Sequence, residues 1–244
     1  MIKQETEKIR NREVSKGVIL ITILFYVLAA APVSPFYDAI FSSLPMRSQS
    51  IFSNPAGIGV EPGSELMFNY HPDMIKTGVS FSSLGLGMIK IDSITRYEAD
   101  IGIKLPGAFA FGYAYQFHDT SNHILGIICR PSQTISLGYR INLGEIKHMT
   151  GGISIWPYAD YVTLSADVDY EAVEDTINYY FGGAIHTVQG SQIFFCTDWD
   201  FNWHAGLDVV LRNFTLAGAY TRAENKLSAG LIIGTQASDN MPQD

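Results

Sequence analysis

Two stretches of the sequence gather side chains that could do chemistry. Asp198, Asp200 and His204, with Trp199 and Trp203 interleaved, form the densest acidic group; His118-Asp119 with His123 comes nearest to a metal-ligand set. A zinc hydrolase needs two histidines on one helical face with a glutamate between them, and no HExxH is present. The six histidines, at 71, 118, 123, 148, 186 and 204, have no paired spacing. Nucleophile elbows, phosphate-binding loops and dinucleotide glycine patterns are equally missing. No serine–lysine dyad can be placed, because the few lysines past residue 30 fall on ordinary strands. Cys129 and Cys196 are too few for a disulfide framework or a cysteine-rich zinc site, and the sequence does not say whether they pair. The expectation is a protein that is not an enzyme, with no catalytic residue, no metal and no cofactor.

The elements that carry these side chains are strands. Gly (22), Phe (14) and Tyr (13) are plentiful, which suits a pleated surface where aromatic side chains pack well. Charged residues make up 16% and hydrophobic residues 47%. That balance excludes a disordered chain. A net charge of -8 excludes a basic face of the kind that neutralises nucleic-acid phosphates, so no nucleic-acid partner is expected.

Residues 1–30 read as an export signal. Lys3, Lys8, Arg10, Arg12 and Lys16 precede an apolar run from Val18 to Ala31, 14 residues long. A membrane-spanning helix needs about 20, and the run ends in small residues that fit cleavage after Ala29 or Ala30. A buried core helix or a short uncleaved anchor is the alternative. Without residues 1–30 the charged residues fall from 16 basic and 24 acidic to 11 and 21, so the exported part is acidic.

From residue 64 to 236 the chain alternates with period two. Phe109, Phe111, Tyr113, Tyr115 and Phe117 fall on one face, and Ala108, Ala110, Gly112, Ala114 and Gln116 on the other. Similar runs predict strands near 64–70, 76–83, 85–91, 96–103, 122–130, 133–143, 148–156, 162–169, 176–188, 191–201, 203–213, 214–223 and 226–236. Pro106-Gly107, Pro131-Ser132 and Asn213 read as connections. A β-sandwich would bury the apolar face and solvate the other. A transmembrane barrel would turn it to lipid and hold the polar face around a lumen. Long strands, very short connections and broad Phe/Tyr faces favour the barrel. So do the charges on the opposite faces: Arg96, Glu98, Asp100, Arg140, Asp167, Asp169, Asp198 and Asp200, all expected to line the lumen. The predicted fold is all-β, an antiparallel up-and-down transmembrane barrel of about 12–14 strands. Charge at Phe111 should then harm assembly more than charge at Gly112.

Residues 31–63 do not alternate and are expected to form an N-terminal plug, with 64–236 the barrel and 237–244 a polar tail. Within them lies SQSIFSNPAGIGV, where Asn54-Pro55 starts a turn and Gly57 and Gly59 permit backbone conformations closed to other residues. An ordinary entry turn to the first strand is the alternative. The signal, this phrase and the run of hairpins resemble the FadL-like outer-membrane proteins, which include hydrocarbon and fatty-acid transporters and PorV-type barrels of secretion systems. The stretch GGISIWPYADYVTLSADVDY (151–170) is similar to a hairpin of those families, two strands around a proline-containing turn. The resemblance implies a bacterial outer-membrane location and a hatch inside a fourteen-stranded barrel. It carries over to Asn54, Pro55 and Ala56, and with less force to Gly57 and Gly59.

Departures accompany it. The chain past residue 30 is about 214 residues, short for a transporter with long capture loops, and it ends ASDNMPQD rather than on an aromatic residue. Similar barrel-like regions precede some signal peptide peptidases, and a detached relative of those stays open. The function this implies is passage or binding of small hydrophobic molecules with no bond made, opened by displacement of the Asn54–Gly59 turn, with outer-membrane lipid as the surrounding partner. The alternative is a structural or adaptor barrel that anchors a secretion or peptidase partner protein.

Overall fold

The structure, a computed structural model, describes residues 36, 40–45, 47–61, 63–117, 121–144, 147–158, 161–187, 190–211 and 213–234. The signal segment 1–30, the tail 237–244 and the pair His118-Asp119 lie outside these residues.

Among the described residues two short helices, α1 (Arg47–Ser50) and α2 (Ala56–Val60), precede the strands. The first seven are β1 (Gly63–His71), β2 (Met74–Ser82), β3 (Leu84–Ile91), β4 (Ile94–Lys104), β5 (Phe109–Phe117), β6 (Asn122–Ser132) and β7 (Ile135–Asn142). Then come β8 (His148–Ile155), β9 (Val162–Glu171), β10 (Thr176–Thr187), β11 (Ser191–Asp198), β12 (Trp203–Leu211), β13 (Phe214–Thr221) and β14 (Lys226–Gly234). Each strand pairs antiparallel with its neighbours in sequence. β1 pairs with β14 from Glu65–Gly234 to Tyr70–Ala229, which closes the sheet into a barrel. A closed sheet has no edge, and the sandwich alternative falls with it.

The two faces differ as period two demands. On β5, Phe109, Phe111, Tyr113 and Phe117 point outward and are exposed, while Ala110 and Ala114 point inward and are buried. The outer surface is apolar all round, from Leu66 and Phe81 on the first strands to Leu216 and Ile233 on the last.

An even strand number puts the start of β1 and the end of β14 at the same, proximal, end. Connections at the opposite, distal, end are two to five residues long. Two of them repeat one device. The Tyr170 hydroxyl donates to Asp175 at 3.1 Å and the Tyr220 hydroxyl to Asn225 at 2.8 Å. Both acceptors sit in the left-handed region, with φ of 51° and 53°, a conformation Asp and Asn tolerate better than other side chains.

One expected connection is displaced. Pro131-Ser132 belongs to β6, where the register shifts between Cys129 and Ser132, and the turn follows at Gln133-Thr134. A bulge has no ladder bond to lose, so proline's missing N–H costs little there.

The core of the molecule lies inside the barrel. Phe41, Ile51, Ala56 and Ile58 are at most 1% exposed, and α2 packs against β4, β5 and β6 while α1 packs against β1 and β2.

Candidate functional site

The described residues between Phe41 and Glu61 run within the lumen, and Asn54–Gly59 lies closely on the wall. The Asn54 side-chain amide donates to the carbonyls of Ser42 (2.8 Å), Ile127 (3.3 Å) and Tyr139 (3.3 Å). Its oxygen accepts the Ala56 N–H at 3.2 Å, which turns the chain into α2. Asparagine can do both because its amide has a donor and an acceptor end.

The wall opposite is made of glycine. Gly102, Gly112 and Gly126 are paired neighbours across β4, β5 and β6. A Cβ on Gly112 would lie 2.1 Å from the Pro55 carbonyl carbon, and one on Gly126 would lie 2.0 Å from Asn54 Oδ1. Gly59 faces the Ile103 backbone, where a Cβ would come within 2.6 Å. Gly138 on β7 leaves the same room for the Ser42 carbonyl. Backbone rests on backbone at Gly102, Gly112 and Gly138 and the Asn54 side chain rests on Gly126, so these glycines serve contact, not rotation.

Polar groups complete the seat. Ser136, Ser154 and Ser165 are paired across β7, β8 and β9. Ser154 shares hydrogen bonds of 2.7 Å with both Ser165 and Ser43, while Ser136 donates to the Ser43 carbonyl at 2.6 Å. Arg130 donates to the Leu44 carbonyl at 3.3 Å, and Asp167 accepts the Ser42 N–H at 2.7 Å. Nearer the proximal end the Arg47 guanidinium pairs with Glu61 at 3.0 Å and Glu65 at 3.8 Å. Ser48 donates to Glu65 from both its N–H and its hydroxyl.

The far side of the segment meets a different surface. Phe41 and Leu44 pack against Ala184, Phe194, Cys196 and Ala219 of β10, β11 and β13, with Ile40, Trp156 and Tyr180 around them. The Phe194 ring lies over Gly206 of β12, where a Cβ would come within 2.4 Å of it.

The charges named from the sequence have separate fates. Glu98 and Asp100 are buried on the inward face of β4, and Gln116 donates to Glu98 at 2.9 Å. Arg140, inward on β7, lies within Coulomb range of Glu98, Asp100 and Asp169, and Lys76 of β2 acts on Glu98 as well. These five form a collar of mixed charge above the segment. Asp169 also accepts from His148 at 2.6 Å and Thr150 at 2.7 Å. Arg96 is exposed toward the distal end, and Asp167 is taken up by Ser42. Asp198 ends β11 and holds the following turn through both the N–H and the side chain of Asn202, each at 2.9 Å. Asp200 departs from the expected lining, since it sits exposed within that turn. The alternation that pointed it inward stops with the strand.

Cys129 pairs with the outward Phe109 and Leu137 positions, whereas Cys196 is inward and buried. They stand on opposite faces of the wall and cannot bond. At the distal rim His71, Asp73 and Glu224 bring donor atoms within 4.8 Å of one another. The Lys226 ammonium pairs with both carboxylates, so a cation of the chain's own fills that role. Lys226 holds the Asp73 carboxyl below the usual carboxylate range.

Sequence reading missed Phe41, Ser42, Ser43, Arg47, Glu65, Lys76 and the glycine track. The track had a signal: an inward glycine recurs on every strand from β2 to β8, at Gly78, Gly85, Gly102, Gly112, Gly126, Gly138 and Gly152. Glu65 and Lys76 had one too, since the alternation of β1 and β2 turns them inward; Phe41, Ser42, Ser43 and Arg47 had none, because they lie in a segment without period.

No family model matches the chain, and no curated protein matches it. Among solved structures it is similar to the Acinetobacter baumannii outer membrane protein Omp33, with a TM-score of 0.52 at 9% identity over 73% of this chain and 99% of that one. A triple mutant of the Rhodopseudomonas blastica porin gives a TM-score of 0.47 at 7% identity over 70% of this chain and 98% of that one. At such identities the likeness is one of fold.

Proposed function

We propose that this chain is a bacterial outer-membrane barrel that passes or binds small hydrophobic molecules, with the Phe41–Glu61 segment as its plug. The outer surface supports the membrane part. Its apolar residues stand where only lipid would favour them, since water would penalise so large an exposed area. The fold shared with Omp33 agrees with a barrel of this kind. Export through the signal at 1–30 is part of the same reading.

One observation carries the hydrophobic part. In a lumen that is polar and charged on β2, β4, β7, β8 and β9, the strands β10, β11 and β13 present an apolar patch, where Tyr180, Ala184, Phe194, Cys196 and Ala219 face the plug, with the buried Gln192 and Asp208 beside it. An apolar solute could partition there, while the mixed collar of Lys76, Glu98, Asp100, Arg140 and Asp169 discriminates at the distal mouth. No bond is made or broken.

The rival reading is an adaptor barrel that anchors a secretion or peptidase partner. It is favoured by a lumen filled by its own chain and by short distal connections that build no capture site. Uptake of a hydrophobic fluorophore by cells bearing the protein in their outer membrane separates the two. A rise in initial rate over cells without it supports passage; equal rates leave the adaptor.

A further inference from the structure

We infer that the inner segment is the fixed half of a pore, and that Phe41 and Leu44, closed against Phe194, are its apolar gate. This rests on the passage reading and places the moving part away from the Asn54–Gly59 turn. That turn lies backbone to backbone on Gly102 and Gly112, its Asn54 side chain lies on Gly126, and Asn54 is bonded to two wall carbonyls. Ser42, Ser43 and Leu44 are held by Asp167, Ser136, Ser154 and Arg130. Lifting the segment breaks all of these together, and each lost bond leaves a polar group facing the lumen.

On the other side nothing so rigid is needed. Phe41 and Leu44 meet Ala184, Cys196 and Ala219, which are small, and Phe194, whose ring lies against Gly206. Turning the two phenyl rings clears a path bounded by those small residues while the backbone stays in place. Side-chain rotation is far faster than displacement of a folded segment. A closed apolar constriction also excludes ions by staying dry while admitting an apolar solute.

Cys196 lies in the closed contact and reports on it; Cys129 faces outward and is replaced by serine in every form tested. The probe is a membrane-impermeant methanethiosulfonate, read alongside conductance in planar bilayers. With Phe41→Ala and Phe194→Ala together, modification of Cys196 is expected to rise by about an order of magnitude and bilayers to conduct, because the dry constriction is gone. Phe41→Val alone gives the same readouts with a smaller void if the double variant fails to fold, as judged by heat-modifiable migration. Protection and silence in these variants, with conductance only on deleting Ser53–Gly59, overturn the gate and leave passage standing. Silence in the gate variants and in the deletion overturns both.

Discussion

Phe111 and Gly112 are adjacent and answer to different surroundings. Phe111 points outward on β5, so an arginine there would cost about 2–4 kcal/mol at a bilayer midplane. Alternation alone makes Gly112 the tolerant neighbour. The seat reverses that, because its missing side chain is the space in which Pro55 and Ala56 lie. Gly112→Ala is expected to cost about 1–3 kcal/mol by overpacking, and Gly112→Arg to block assembly as Phe111→Arg does. Gly218 is the control: an added Cβ there would meet nothing nearer than the Ser228 carbonyl at 4.0 Å. Gly218→Ala should stay within about 0.5 kcal/mol of the parent. Urea midpoints of the two alanine variants and an assembly assay of the two arginine variants check this, and equal midpoints for Gly112→Ala and Gly218→Ala would remove the seat.

Between elements, the distal rim joins the turn after β1 to the hairpin of β13 and β14. Lys226 bonds Asp73, and His71 meets Glu224 at 3.0 Å. Because the folded Asp73 pKa lies below its unfolded value, the bond adds stability at pH above the ordinary carboxylate range. That contribution is lost as pH falls through the lowered folded value. The groups are exposed, so salt should weaken it. In an NMR titration the Asp73 carboxyl should have a depressed midpoint that returns to the ordinary range in Lys226→Met. A midpoint indifferent to that substitution would deny the bond. The strands themselves were legible in the sequence, since each of the fourteen carries its own period-two pattern, β2 and β3 included. Their ends were less so: Asp200 kept the alternation of β11 past its last ladder bond, and Pro131 looked like a turn while occupying a bulge. The Asn54–Gly59 motif stood out by composition. What it touches did not, because the partners sit on β4–β7, far along the chain, and most are glycines whose contribution is an absent side chain.

For the whole molecule, a closed antiparallel barrel with an apolar exterior and a filled interior has one demanding physical consequence. It should be stable as a unit only in lipid or detergent, and its compactness should survive detergent until heat unfolds it. Gel migration of the protein from purified outer membranes, with and without boiling, tests this most directly. The account predicts recovery in the outer-membrane fraction and faster migration of the unboiled form. Recovery as a soluble periplasmic protein, with one mobility before and after boiling, would contradict it.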